Sequence, residues 1–146
     1  MVKQYIMLLA VLIWSGCVVA ISFMESWLKF RASGVTLPIG LSIGRLVFNA
    51  LNKMEWFFAA VLLVGYFLNK AQINTFSIVL FALAVCLLIM ETFWLLPALD
   101  ARANIVISGK PVAASSLHWY FVVAEVIKLG ALLTLGFQLF KVFVIR

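Results

Sequence analysis

The stretch Tyr5–Met24, YIMLLAVLIWSGCVVAISFM, runs twenty residues without an Asp, Glu, Lys or Arg. A helix needs about 20 largely apolar residues to cross a bilayer. The stretch therefore reads as a membrane span, and Glu25, Lys29 and Arg31 beyond it read as its interfacial end. The rest of the chain has the same character. Of 146 residues, 66% are apolar and 11% charged, and the mean hydropathy is +1.20. Soluble domains carry roughly 45–50% apolar and about 25% charged residues, so a separate soluble domain is excluded and the chain reads as an integral membrane protein.

Beyond the first span the chain holds three more. After Ala32-Ser33-Gly34 and Pro38, a helical pattern begins near Leu41 and continues to Leu68, polar in its first half. A third run extends from Ile73 to Leu96 and is expected to stop at Pro97, which lacks an N–H and clashes with the preceding turn. A polar loop, Asn104 to Ser116, with Ser115 and Ser116 as N-cap candidates, leads into a fourth run, Leu117 to Phe140. The expectation is one domain, residues 1–146. Its fold class is all-α, an antiparallel up-down-up-down bundle of four transmembrane helices over about 5–30, 41–68, 73–96 and 117–140. The chain has no internal repeat or low-complexity segment.

Lys3 before an apolar run also looks like a secretory signal, and Ser15-Gly16-Cys17 faintly resembles a lipoprotein cleavage site. Trp14 stands where such a site wants a small aliphatic residue, and the chain stays apolar after Cys17, so the first helix is read as retained. Lys3, Lys70, Lys141 and Arg146 on the side of the termini balance Lys29, Arg31, Arg102 and Lys110 on the other. The excess of basic residues that orients membrane proteins is thus missing, and counting Arg45 tips it only weakly toward cytoplasmic long loops. Localisation is multi-pass membrane, with membrane identity and orientation open. Cys17 and Cys86 read as small apolar core residues.

An up-down-up-down order gathers the ionisable residues at one end of the bundle. Helix 1 brings Glu25 and Lys29; helix 2 brings Arg45, Asn49, Asn52, Lys53 and Glu55; helix 3 brings Glu91; helix 4 brings His118, Glu125 and Lys128. At 1.5 Å per residue, Glu55, Glu91 and Glu125 lie roughly 7–12 Å below that face and Lys128 about 15 Å below. Charges at such depth cost about 2.5–3.5 kcal/mol on insertion scales, so they should face the bundle interior, a partner or water. Arg45, Asn49 and Asn52 share a face of roughly 60°, and His118 and Glu125 lie about 20° apart. Ser15, Ser22 and Ser26 form a stripe leading to Lys29. These stripes describe a one-sided polar vestibule, closed at its far end.

Two chemistries compete for it. In a structural reading the charges neutralise one another, with Glu25–Lys29 at i,i+4 and Glu125–Lys128 at i,i+3 as local pairs. In a functional reading, Arg45, Asn49, Asn52, Glu55, Glu91, His118, Glu125 and Lys128 bind a small ion or the head of a lipid-like molecule, for transport or sensing. The Glu-x-x-His spacing of carboxylate-bridged metal bundles is absent and there is one histidine, so no metal is assigned. No cofactor fingerprint, phosphate loop or nucleophile motif is present, so no cofactor is assigned. The basic residues are scattered between apolar runs, which argues against nucleic acid. His118, in Leu117-His118-Trp119-Tyr120, is read either as a proton carrier or as part of an interfacial aromatic belt. The same belt accounts for Trp27, Trp56 and Trp94. Gly40 and Gly44 form a G-x-x-x-G, as the small residues Gly16 and Ala20 do in helix 1, and are assigned to packing within the bundle. Whether the chain is an enzyme stays open: a buried glutamate acting as acid or base on a lipid-soluble substrate is one alternative, and a structural subunit with protein partners in a membrane complex is another. Membrane lipid is the partner common to all.

Trp14-Ser15-Gly16 and Phe23, Lys29-Phe30…Gly34, Gly40…Gly44-Arg45…Phe48, Pro97 and Leu117-His118 resemble the four-span membrane domain family of unknown function that includes transmembrane protein 205. The resemblance covers most of the chain in layout. It implies a four-helix membrane fold, leaves the activity undefined, and gives weight to Arg45 and His118. Glu55, Glu91 and Glu125 have no counterpart in that pattern.

Overall fold

The computed structural model describes residues 2–70 and 72–145, with the side chains of residues 2 and 3 excepted. The part of the basic-residue count that rests on Lys3 and Arg146 lies outside the described residues. Every regular element among them is helical. Four helices are long and apolar enough to cross a membrane: α1, Gln4–Arg31; α2, Leu37–Leu68; α3, Thr75–Ile107; and α4, Leu117–Val144.

α4 runs to Val144, past the expected Phe140, and two further boundaries differ from the sequence reading because of proline. α2 starts at Leu37 rather than Leu41, with Pro38 in its first turn. There the missing N–H costs nothing, because the first N–H groups of a helix have no intrahelical acceptor, and the fixed φ suits the turn. α3 runs through Pro97 to Ile107 instead of ending at Leu96. Residues Glu91–Leu95 form a π-helical turn, and the N–H of Leu96 donates to the carbonyl of Glu91, five residues back. The widened turn places Pro97 at the start of a renewed α segment, Leu96–Ile107, where a proline is tolerated. The polar stretch from Asp100 to Asn104 is therefore helical. α1 carries a similar irregularity: it is α-helical through Val18, π-helical over Val19–Glu25, and ends in a 3-10 turn, Lys29–Arg31. Gly34, at φ +82, then reverses the chain. Asn74 caps α3 by accepting from the N–H of Ser77 at 2.8 Å. At α4 the cap comes from Ser115, whose Oγ accepts from the N–H of Leu117 at 3.2 Å.

α1 packs against α2 and α4. α3 packs its first half on α4 and its second half on α2. The residue pairings fix how α1 meets α2: Met7 lies by Asn69, Trp14 by Glu55 and Lys29 by Gly44. Gly40 and Gly44 serve this contact. A Cβ on Gly40 would overlap the Phe30 ring, and one on Gly44 would stand 2.9 Å from Lys29 Nζ. Gly16 plays no such part, since a Cβ there meets nothing within 4 Å. Met7, Val11, Val18, Phe58, Leu62, Leu88, Leu132, Leu135 and Leu139 fill one continuous core from the Met7 end upward. A second cluster, Leu95, Leu96, Phe121 and Ala124, sits at the other end, where Phe48 meets Phe121 edge to face at 5.2 Å. The outer surface is built of large apolar side chains, with Leu46 and Phe93 each 74% exposed. Cys86 belongs to that surface and not to the core, which corrects its sequence assignment, while Cys17 is half-buried.

Candidate functional site

Lys128 is fully buried on α4, and three carboxylates meet its ammonium. Glu55 Oε1 from α2 lies 2.6 Å from Nζ, and Glu125 Oε1, one turn earlier on α4, lies at 2.8 Å. Glu91 Oε2, from the π turn of α3, makes the third contact. α1 completes the group, because the indole N–H of Trp14 donates to Glu55 Oε1 at 2.9 Å. All four helices thus contribute to one charged centre in which no side chain is more than 2% exposed. Such a group of charges is tolerated in a dry interior only where close contacts replace lost hydration. The replacement is incomplete: Glu91 Oε1 and Glu125 Oε2 are buried and have no hydrogen-bond partner among the described residues.

One oxygen from each of Glu55, Glu91 and Glu125 falls within 4.8 Å of the others, the grouping a metal ion would need. Lys128 Nζ contacts all three carboxylates. The lysine ammonium is the cation that this donor set holds.

Beside the centre, Asn52 Nδ2 donates to Thr92 Oγ1 at 2.9 Å, and Trp56 Nε1 donates to the same oxygen at 3.0 Å. Thr92 Oγ1 in turn donates to the Leu88 carbonyl at 2.7 Å. Nearer the chain turns, Arg45 pairs with Asp100 at 3.4 Å and bonds Asn104 Oδ1. Asn49 is exposed, donating to the Arg45 carbonyl and, at 3.4 Å, to Asp100. Both local pairs expected from spacing form, Glu25–Lys29 at 3.0 Å and Glu125–Lys128.

Between these groups lies an open cavity of about 410 Å³. Its walls are aromatic and aliphatic, with Phe23, Phe30, Phe48, Leu99, Phe121 and Val122 among them, and its polar groups are Lys29, Arg45, Arg102, His118, Asp100 and Glu125. Glu125 is common to the cavity wall and the buried centre. Ser22 also lines the cavity, and its Oγ, like Arg45 Nε, has no hydrogen-bond partner among the described residues. A second groove of about 280 Å³, lined by Met7, Tyr66, Phe81 and Leu139 among others, is almost wholly apolar.

The eight residues read from sequence as one vestibule therefore divide. Glu55, Glu91, Glu125 and Lys128 form the buried centre, Asn52 belongs to the Thr92 network, Arg45 and His118 lie on the cavity wall, and Asn49 stands outside. Asp100 and Asn104 escape the sequence reading because a proline at position 97 points to the end of α3. Trp14 escapes it as the fourth partner. Its signal is its position, mid-span in an otherwise apolar run, where a buried indole N–H requires an acceptor. Trp56, assigned to an interfacial belt, also donates to Thr92. No family model, curated protein or solved structure matches the chain.

Proposed function

We propose that the chain is a multi-pass integral membrane protein, an up-down-up-down bundle, whose cavity holds a lipid-like ligand with an anionic head, for transport or sensing. Four long apolar helices, an apolar exterior and the opposed register of α1 on α2 support the membrane bundle. The observation that carries the ligand is the cavity of about 410 Å³, in which apolar walls meet Lys29, Arg45, Arg102 and His118. Small-molecule sites have this size and this mixture of apolar lining with a few converging polar groups. A guanidinium matches the planar, doubly accepting face of a carboxylate or phosphate. A bare cation is less well served, because Lys128 already contacts the three carboxylates. The resemblance to the four-span family that includes transmembrane protein 205 is part of this reading: Arg45 and His118, to which it gives weight, both line the cavity.

Native mass spectrometry tests it. The protein, stripped of lipid in mild detergent, is offered an anionic and a zwitterionic phospholipid of equal chain length. Retention of one anionic lipid, weakened at least tenfold in Arg45→Ala, supports the reading, and equal weak adducts of both lipids overturn it.

Glu125, which lines the cavity and keeps one buried oxygen without a partner, favours one second reading, an enzyme that uses this carboxyl as acid or base on the bound amphiphile. Conversion of a lipid pool that is lost in Glu125→Gln while lipid binding survives would establish it.

A further inference from the structure

The charges of the buried centre do not balance. Glu55, Glu91 and Glu125 against Lys128 sum to −2 if all four groups are ionised. Each uncompensated ion in a dry interior costs several kcal/mol even after relaxation. From α1, Trp14 contributes a neutral N–H; the other charged groups on the adjoining cavity wall are engaged elsewhere. Lys29 is paired with Glu25, Arg45 with Asp100, and Arg102 donates to the Ala113 carbonyl. His118 stands exposed at the entrance of α4.

The oxygens show where the imbalance lies. Glu55 Oε1 accepts from both Trp14 and Lys128. Glu91 and Glu125 each give one oxygen to Lys128, and the other is buried without a donor. The negative charge in excess of Lys128 is therefore held where donors are missing, and a buried charge without partners costs far more than a buried neutral group.

We infer that this centre is a binding site for two protons, shared among the three carboxyl groups of Glu55, Glu91 and Glu125, which leaves one net negative charge as the counter-ion of Lys128. On release, the O–H bond of one carboxyl breaks and its proton passes to a water or other acceptor in the adjoining cavity. The carboxylate left behind keeps its contact with the Lys128 ammonium, and reloading is the reverse. This inference stands apart from the lipid reading, and its test uses no lipid ligand.

Infrared spectroscopy of the detergent-solubilised protein at neutral pH reads the C=O stretch of protonated carboxyls, identified by its shift in heavy water. The wild type shows the band; Glu91→Gln and Glu125→Gln each lose about half of its area, and Glu91→Gln/Glu125→Gln loses all of it. Glutamine copies the neutral carboxyl, so the double variant also melts no lower than wild type. Absence of the band in the wild type overturns the inference without any variant, as does a band that survives the double substitution.

Discussion

Lys128 Nζ and the indole N–H of Trp14 meet at one atom, Oε1 of Glu55, at 2.6 and 2.9 Å. This shared acceptor ties α1, α2 and α4 together, and the contact of Glu91 with Lys128 adds α3. The charged centre is thus also the point at which the packing of the four helices is registered.

Removing the lysine alone leaves three buried carboxyl groups without their cation. Lys128→Met is expected to destabilise the fold by about 3–5 kcal/mol, the usual effect of breaking a buried ion network from one side. Adding Glu55→Gln, Glu91→Gln and Glu125→Gln to it restores most of that loss, because the whole network is then neutral. Thermal unfolding in detergent measures both, and a single variant as stable as wild type would refute the role given to Lys128.

Trp14→Phe keeps a ring in the core and deletes the N–H that Glu55 accepts. The expected loss is about 1–3 kcal/mol, because the acceptor is charged and buried. If the indole acts only by filling space, Trp14→Phe will match wild type and Trp14→Leu alone will fall, a contrast that denaturant titration resolves.

Thr92 Oγ1 accepts from two donors, the side-chain amide of Asn52 and the indole of Trp56. Thr92→Val preserves shape and removes the oxygen, at an expected cost of about 1–3 kcal/mol. Indole fluorescence of Trp56 should shift in the same variant. Unchanged stability and emission would show that the network contributes nothing.

A Cβ on Gly40 collides with Phe30, which lines the cavity. Gly40→Ala is expected to lose about 1–3 kcal/mol through overpacking. Phe30→Ala should relieve it, giving a coupling well above the about 0.5 kcal/mol seen between independent sites. Additive effects would mean that the two helices do not touch there.

The four helices are legible in the sequence because apolar runs of span length are an unambiguous signal, and the two local ion pairs emerge from helical spacing. The composition of the buried centre is partly legible as well, since depth arithmetic places Glu55, Glu91, Glu125 and Lys128 together. Spacing does not carry phase. The π turns at Val19–Glu25 and Glu91–Leu95 rotate the helical segments C-terminal to them, and Pro97, a stop signal by its chemistry, sits where a π turn makes it harmless. Asp100 and Asn104 stay hidden for that reason. The split between a filled ionic centre and an adjoining cavity also lies beyond a one-dimensional reading, because it depends on which side of α4 each neighbour covers: Glu125 belongs to both, while His118, close to it in helical angle, lines the cavity alone.

The claim on which the functional account rests is that the cavity, and not the apolar exterior at large, is where a lipid-like molecule binds. Photo-crosslinking in bilayers with an anionic phospholipid bearing a diazirine in its acyl chain tests it directly. Peptide mapping should place adducts on Phe23, Phe30, Phe121 and Val122, and unlabelled anionic lipid should compete them away. Adducts spread over outward residues such as Phe57, Phe67 and Phe137, and indifferent to competitor, would contradict the account.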